Sequence, residues 1–262
     1  MPNSALHVAR TGLEAQDTRM RVIANNLANV GTTGFKRDRA NFATLAYQNM
    51  RVAGQQSSNE TQYATGLNLG TGVSVQSTSR IETQGTLNNT GNALDLALDG
   101  EGYFQVELPG GKLGYTRAGN FTRSAEGELV TTQGYRVMPG ITIPEDATAI
   151  TVAPDGTVSA TTADSGAASE LGQIQVASFT NPAGLQATGD NFLLETSASG
   201  AAQMGAPGEN GRGGIKQGML EGSNVNVVEE LVDMIETQRA YEVNSKMISA
   251  TDQMLQYANQ NL

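Results

Sequence analysis

Apolar residues recur every seven positions at both ends of this 262-residue sequence, a repeat that makes each end a long helix with one narrow apolar seam. Near the start, Leu6, Leu13, Met20 and Leu27 form one column; Ala9, Ile23 and Val30 lie three residues after three of them, and Gln16 interrupts the second column. Ser4 is placed to cap such a helix, and Asn29, Gly31 and Gly34 supply the left-handed stop, so a helix is expected over 4–29. Near the end, Val227, Met234, Tyr241, Ile248, Leu255 and Leu262 repeat the design, widened by Leu231, Ile235, Met247, Met254 and Ala258. Asn226 followed by Glu229 resembles a capping box, and Glu229, Glu230 and Asp233 put negative charge where the helix dipole favours it. A second helix is expected over 226–260.

Between the ends the signal is β. Segments 103–108, 134–138, 149–153 and 173–179 are short and partly alternating, and turn signals such as Pro109-Gly110-Gly111 and Pro154-Asp155-Gly156 separate them. With 31 glycines, 5% aromatics and no tryptophan, the composition suits a turn-rich β structure better than an α/β enzyme. Residues 46–66 are dominated by Gln, Ser, Asn, Thr and Gly with neither period sustained, and they read as an extended arm. The expected fold is α+β, with terminal helices in a coiled-coil-like layer, a central mainly β domain and the arm. Its segments are a helix and assembly segment (1–45), arm and linker (46–90), β domain (91–217) and C-terminal assembly helix (218–262). Two narrow seams cannot both be buried on a β domain that has its own core. They pair within one chain as a helical hairpin, or they pair between copies, and periodicity leaves both open.

The residue inventory narrows the chemistry. There is no cysteine and one histidine, His7, which excludes thiol catalysis, disulfides, zinc clusters and most histidine-centred acid/base schemes. His7 reads as a surface side chain on the first helix. A net charge of −10 argues against a nucleic-acid partner, although the sign varies: +3 over residues 1–50, −8 over 51–220 and −5 over 221–262. Asp95, Asp99 and Glu101 come nearest to a catalytic carboxylate cluster, but they fit turn and strand-edge positions in LDLALDGEG, and no aromatic sugar platform accompanies them. Gly100-Glu101-Gly102 lacks the spacing of a phosphate loop. No enzyme, cofactor or metal is expected. Nothing resembles a cleavable signal or a membrane span, so the residues alone suggest a cytoplasmic chain.

The wording of the two end segments goes further. ANNLANVGTTGF (24–35), with Gly12, Leu13, Ala15 and Gln16 before it and Lys36 after, resembles the N-terminal signature of flagellar rod and hook proteins. GMLEGSNVN (218–226), continuing through Met234, Ile235 and QRAYEVNSKMI (238–248), resembles the partner signature of that family. In the middle, TGNALDLALDGEGYFQV (90–106), YTRAGNF (115–121) and LGQIQVASFTNPAGL (171–185) are similar to the β domain of its single-domain rod members. QQSSNETQ (55–62) and GLNLGTGV (66–73) resemble the stretch that marks the distal rod branch, which the family associates with a straight, stiff tube.

The resemblance implies a structural subunit that polymerises helically into the rod that transmits torque from motor to hook. It implies export without a cleaved signal peptide through the flagellar type III apparatus, folding at the tip of the growing tube, and a place in the periplasm-spanning basal body. Implied neighbours are further copies, proximal rod proteins, the hook protein and the surrounding P- and L-ring proteins, with no embedding in the membrane. It places the terminal helices innermost around the export channel, through Leu6, Leu13, Met20, Ile23, Leu27, Gly34, Phe35, Leu231, Met234, Tyr241, Ile248 and Leu255. Asn25, Asn26, Asn29, Gln238 and Arg239 are polar positions on those helices, read either as inter-subunit hydrogen bonds that fix register or as a solvated, channel-facing surface.

Overall fold

The computed structural model describes residues 2–56, 62–162 and 167–260, and within these the side chains of 2–4, 255, 258 and 259 fall outside the description. Leu262, residues 57–61 of the arm and the side chains of Ser4, Leu255 and Ala258 therefore lie outside the described set. Two helices stand at the ends, α1 (Pro2–Ala28) and α2 (Val227–Gln260), and the region between them is mainly β. α1 starts at Pro2, so Ser4 sits inside its first turn and not at its cap. Proline is tolerated there because its missing N–H has no helical acceptor. Asn226 does cap α2: its Oδ1 accepts from the Val228 amide at 3.1 Å, and its carbonyl accepts from Glu230 at 3.0 Å.

The chain divides into two compact units, Met1–Leu27 with Asp38–Ser79 and Asn226–Leu262, and Ala28–Arg37 with Arg80–Val225. In the first unit α1 and α2 run antiparallel: Gly12 lies beside Asn244, Arg19 reaches Asp233, and Asn26 reaches Glu230. Strand Asp38–Thr44 pairs with Val73–Arg80, helped by Asn41, whose amide donates to Ser77 and Ser79. Tyr47–Arg51 pairs antiparallel with Leu67–Gly70, so two strands of an exposed ribbon flank the Gln/Ser-rich stretch.

The second unit is built on a six-stranded sheet, in the order Gln186–Gly189, Phe192–Leu194, Lys112–Thr116, Tyr103–Leu108, Val176–Ser178, Gln203–Gly205. Its central strand shows why the sequence makes a sheet. Successive side chains point to opposite faces, and Phe104 and Val106 enter one core with Leu96, Leu98, Phe121, Ile174 and Ile215, while Tyr103 enters another with Tyr115, Ala177 and Leu193. Both faces are thus buried. The Phe104 and Phe121 rings meet edge to face, with centroids 5.1 Å apart. Pro109-Gly110-Gly111 closes the hairpin of Tyr103–Leu108 with Lys112–Thr116, and Pro154-Asp155-Gly156 closes that of Ala147–Val152 with Thr157–Thr162. Segment 134–138, expected as a strand, is instead a turn region with isolated bridges from Arg136 to Val130 and from Val137 to Val106. Gly134 at φ +90° starts it with a backbone that no strand adopts.

Candidate functional site

The two helices close on each other through small and polar groups. On α1 the buried residues are Ala9, Ala15, Ile23 and Asn26; on α2 they are Glu230, Thr237 and Thr251. Glu230, Thr237, Asn244 and Thr251 are spaced seven apart, so α2 does turn a heptad column inward, but a polar one. Thr237 and Thr251 donate to the carbonyls of Asp233 and Met247, one turn back, at 2.6 and 2.8 Å, which satisfies their hydroxyls without help from α1. Gly12 admits Asn244: a Cβ there would stand 3.0 Å from Asn244 Nδ2. Asn26 mimics a strand, accepting from the Asp38 amide and donating to the Asp38 carbonyl, both at 2.9 Å, while its Nδ2 also donates to Glu230 at 3.2 Å.

The apolar columns flank this seam. Leu6, Leu13, Met20 and Leu27 on α1, and Met234 and Ile248 on α2, are half-buried. Leu231, Gln238, Arg239 and Tyr241 are exposed, Asn25 is exposed, and Asn29 is half-buried beside Thr32, whose hydroxyl donates to it. The side chain of Leu255 lies outside the described residues. α2 also leaves a second stripe open to solvent, with Leu231 43%, Val232 51%, Ile235 49% and Val243 59% exposed. Of the positions singled out by sequence, the helix pair therefore brings Ile23 and Asn26 into its interior and leaves the larger α2 side chains outside.

A second constellation joins the signature segments themselves. The Gly34 amide donates to the Glu221 carbonyl at 2.7 Å, and Phe35 accepts from the Asn224 amide at 3.3 Å. Gly34 has φ +67°, and a Cβ there would lie 2.6 Å from the Arg117 carbonyl carbon, so only glycine fits. Lys36 follows with its side chain buried, donating to Glu221 Oε1 at 2.6 Å and to the Thr83 carbonyl at 2.8 Å. Glu221 Oε1 also accepts from the Gly85 amide at 2.9 Å, and Arg117 Nη1 stands 3.6 Å from Oε2. Arg117 in turn donates to the Gly100 carbonyl at 2.7 Å and lies over the Tyr103 ring, whose hydroxyl donates to Glu82 at 2.7 Å.

Desolvation by burial dominates the ionisation of Lys36 and lowers its pKa, opposed by the hydrogen bond to Glu221. Burial, followed by the charge of Glu82, holds Tyr103 well above its ordinary range. Arg37 and Asn224 complete the junction: the Arg37 amide donates to Asn224 Oδ1 at 2.7 Å, and Asn224 Nδ2 donates to the carbonyls of Ile81 and Thr83 at 2.8 and 3.0 Å. In the sequence, Lys36, Arg117, Glu221 and Asn224 stand out only as parts of motifs, and Glu82 does not stand out. One signal was available: Glu221 is the sole acid in 218–226, and a lone charge in an otherwise neutral motif calls for a counterion.

The junction is fixed by charge and hydrogen bonding, with the side chains of Lys36, Arg117 and Glu221 buried. Two of the three carboxylates weighed for catalysis are engaged in local pairs: Asp95 accepts from Thr90 at 2.6 Å and from Asn92 at 3.0 Å, and Asp99 pairs with Lys216 at 2.7 Å. Glu101 is exposed, and its backbone forms an isolated β-bridge with Arg212. His7 is exposed, its Nδ1 3.2 Å from the Thr71 carbonyl. Among the described residues there is no group of three or more His, Cys, Asp or Glu that could hold a metal, and no helix is long and apolar enough to cross a membrane.

Three family models match the sequence: flagella basal body rod protein over residues 6–36, flagellar hook protein FlgE/F/G D1 domain over 97–160, and flagellar basal body rod FlgEFG protein C-terminal over 216–261. Over whole chains, the sequence is 50% identical to the flagellar basal-body rod protein FlgG of Buchnera aphidicola subsp. Acyrthosiphon pisum, covering 98% of both chains. It is 49% identical to the FlgG of Caulobacter vibrioides, again over 98% of both, and 39% identical to that of Bacillus subtilis, over 96% of both.

Proposed function

Given that the chain belongs to the flagellar basal-body rod protein family, we propose that it is a structural subunit of the distal rod that polymerises helically through its terminal helices. The family is one of structural proteins. The observation that carries the assembly mode is the open stripe on α2: a helix pair closed by Thr237, Asn244 and Thr251 leaves Leu231, Val232, Ile235 and Val243 to be covered by another molecule. Each such side chain, already about half covered, gains roughly 0.7–1.5 kcal/mol on burial of the rest, and a helical lattice offers the same covering neighbour at every position. In this reading the helices form a coiled-coil-like layer around the export channel. The ribbon at 47–51 and 67–70 supplies the arm. Copies of the chain, proximal rod proteins, hook protein and the P- and L-ring proteins are the neighbours, reached after type III export without a cleaved signal, in the part of the basal body that crosses the periplasm.

The double variant Val232→Asp/Ile235→Asp tests it. Both positions are exposed in the single chain, so the melting temperature of the purified protein should stay at the wild-type value while complementation of a strain lacking the protein fails to restore rods and swimming. Normal motility of that strain would end the proposal that this stripe is the assembly face.

A further inference from the structure

The chain leaves the β-rich unit at Ala28, Arg37, Arg80 and Val225, and one side chain binds the segments at the last three of these exits. Asn224 accepts from the Arg37 amide through Oδ1 at 2.7 Å; its Nδ2 donates to the Ile81 carbonyl at 2.8 Å and to the Thr83 carbonyl and hydroxyl at 3.0 and 3.1 Å. Its own amide donates to the Phe35 carbonyl at 3.3 Å, and the Ile81 amide donates to the Arg37 carbonyl at 2.9 Å. Acceptor and donors of one carboxamide are thus shared among segments that lie far apart in sequence.

We infer that Asn224 is a positioning residue: it sets the spacing at which the strand after Arg37, the strand before Arg80 and the helix after Val225 leave the β unit, and so presents the assembly elements in one register. Only glutamine, one methylene longer, offers the same planar set of an acceptor and two donors. Aspartate, equal in size, keeps the acceptor for Arg37 but turns the donor side into an oxygen facing two carbonyls. Core packing does not depend on Asn224, which belongs to neither apolar cluster.

The test uses the full chain and two readouts, because the positioning role rests on the rod-subunit reading whereas the stitch itself does not. In Asn224→Ala, hydrogen exchange at the amides of Arg37 and Ile81 should accelerate roughly three- to tenfold, as expected for loss of one or two net hydrogen bonds, whereas Asn224→Asp, which keeps the acceptor for Arg37, should accelerate exchange at Ile81. Exchange at Phe104, Val106 and Ile174 should not change. In cells the same variants should give few or malformed rods. Unchanged exchange at Arg37 and Ile81 would overturn the stitch. Acceleration at all of these amides together would mean that Asn224 only stabilises the unit as a whole, and local acceleration with normal rods would remove the positioning role. The stripe variants Val232→Asp/Ile235→Asp judge the assembly reading separately.

Discussion

Replacing Lys36 by methionine keeps the length of the side chain and removes its charge from a site where the Lys36 and Glu221 side chains are 3% and 0% exposed. Glu221 then loses the Nζ contact at 2.6 Å but keeps the Gly85 amide at 2.9 Å, and Arg117 remains 3.6 Å away. Removing one partner of a buried pair costs about 3–5 kcal/mol, because the survivor is a charge without water. Arg117 and Gly85 hold the cost at the lower end, about 3 kcal/mol, or a fall in melting temperature of roughly 6–12 °C for a unit of this size. Glu221→Gln strips the anion from two cations at once and should cost at least as much. In the double variant the losses should not add, and a coupling of about 1–3 kcal/mol is expected. Urea denaturation followed by the near-ultraviolet dichroism of the tyrosines, of which Tyr103 and Tyr115 are buried in this unit, measures all three. A Lys36→Met variant within about 0.5 kcal/mol of wild type, or additive losses in the double variant, would refute the electrostatic account of the junction.

Gly34→Ala should destabilise the same unit by more than about 1 kcal/mol, since φ +67° is unfavourable for alanine and the new Cβ would overlap the Arg117 backbone; thermal unfolding measures it. Asn26→Ala removes the hydrogen bonds that the amide and carbonyl of Asp38 make to Asn26 and should cost about 1–3 kcal/mol, read as faster hydrogen exchange at Asp38. Alkaline pH should act in two opposed ways. The folded pKa of Lys36 is below its ordinary 10.5, so the unfolded chain binds more protons in that window and stability from this group rises with pH. The folded pKa of Tyr103 is above its ordinary 10.0, so above that value the unfolded chain gives up a proton that the folded chain keeps, and stability from Tyr103 falls. Tyr103→Phe, weaker at neutral pH for want of the Glu82 bond, should therefore lose less stability than wild type between neutral pH and pH about 11, as followed by urea midpoints.

Much of this was readable from local pattern. A seven-residue period identifies a helix without regard to its partner, and Asn226 capped where its spacing placed it. Two proline-glycine turns marked real hairpins because positive φ is a local demand, met by Gly110, Gly111 and Gly156. Which face of a helix turns inward is not a local property. The apolar columns of α1 and α2 look like a seam by hydrophobicity, yet Gly12 and the two threonines let the backbones approach, and that placed a polar column between the helices. Lys36 and Glu221 are similarly silent in isolation, since a lysine and a glutamate most often face water. Only the fold shows that they meet.

The separation of that pair, 185 residues, governs the order in which the unit can close. Along the sequence Lys36 comes first and Thr83 soon afterwards, and the carboxylate that contacts the ammonium, Glu221, comes last. The buried site of Lys36 is complete only with Glu221, about five-sixths of the way along the sequence. Contacts so distant fold slowly, and a truncated chain never makes them. A copy that ends before Glu221 should therefore be cut by proteases faster than the full chain, because its Lys36 site has no carboxylate to close it.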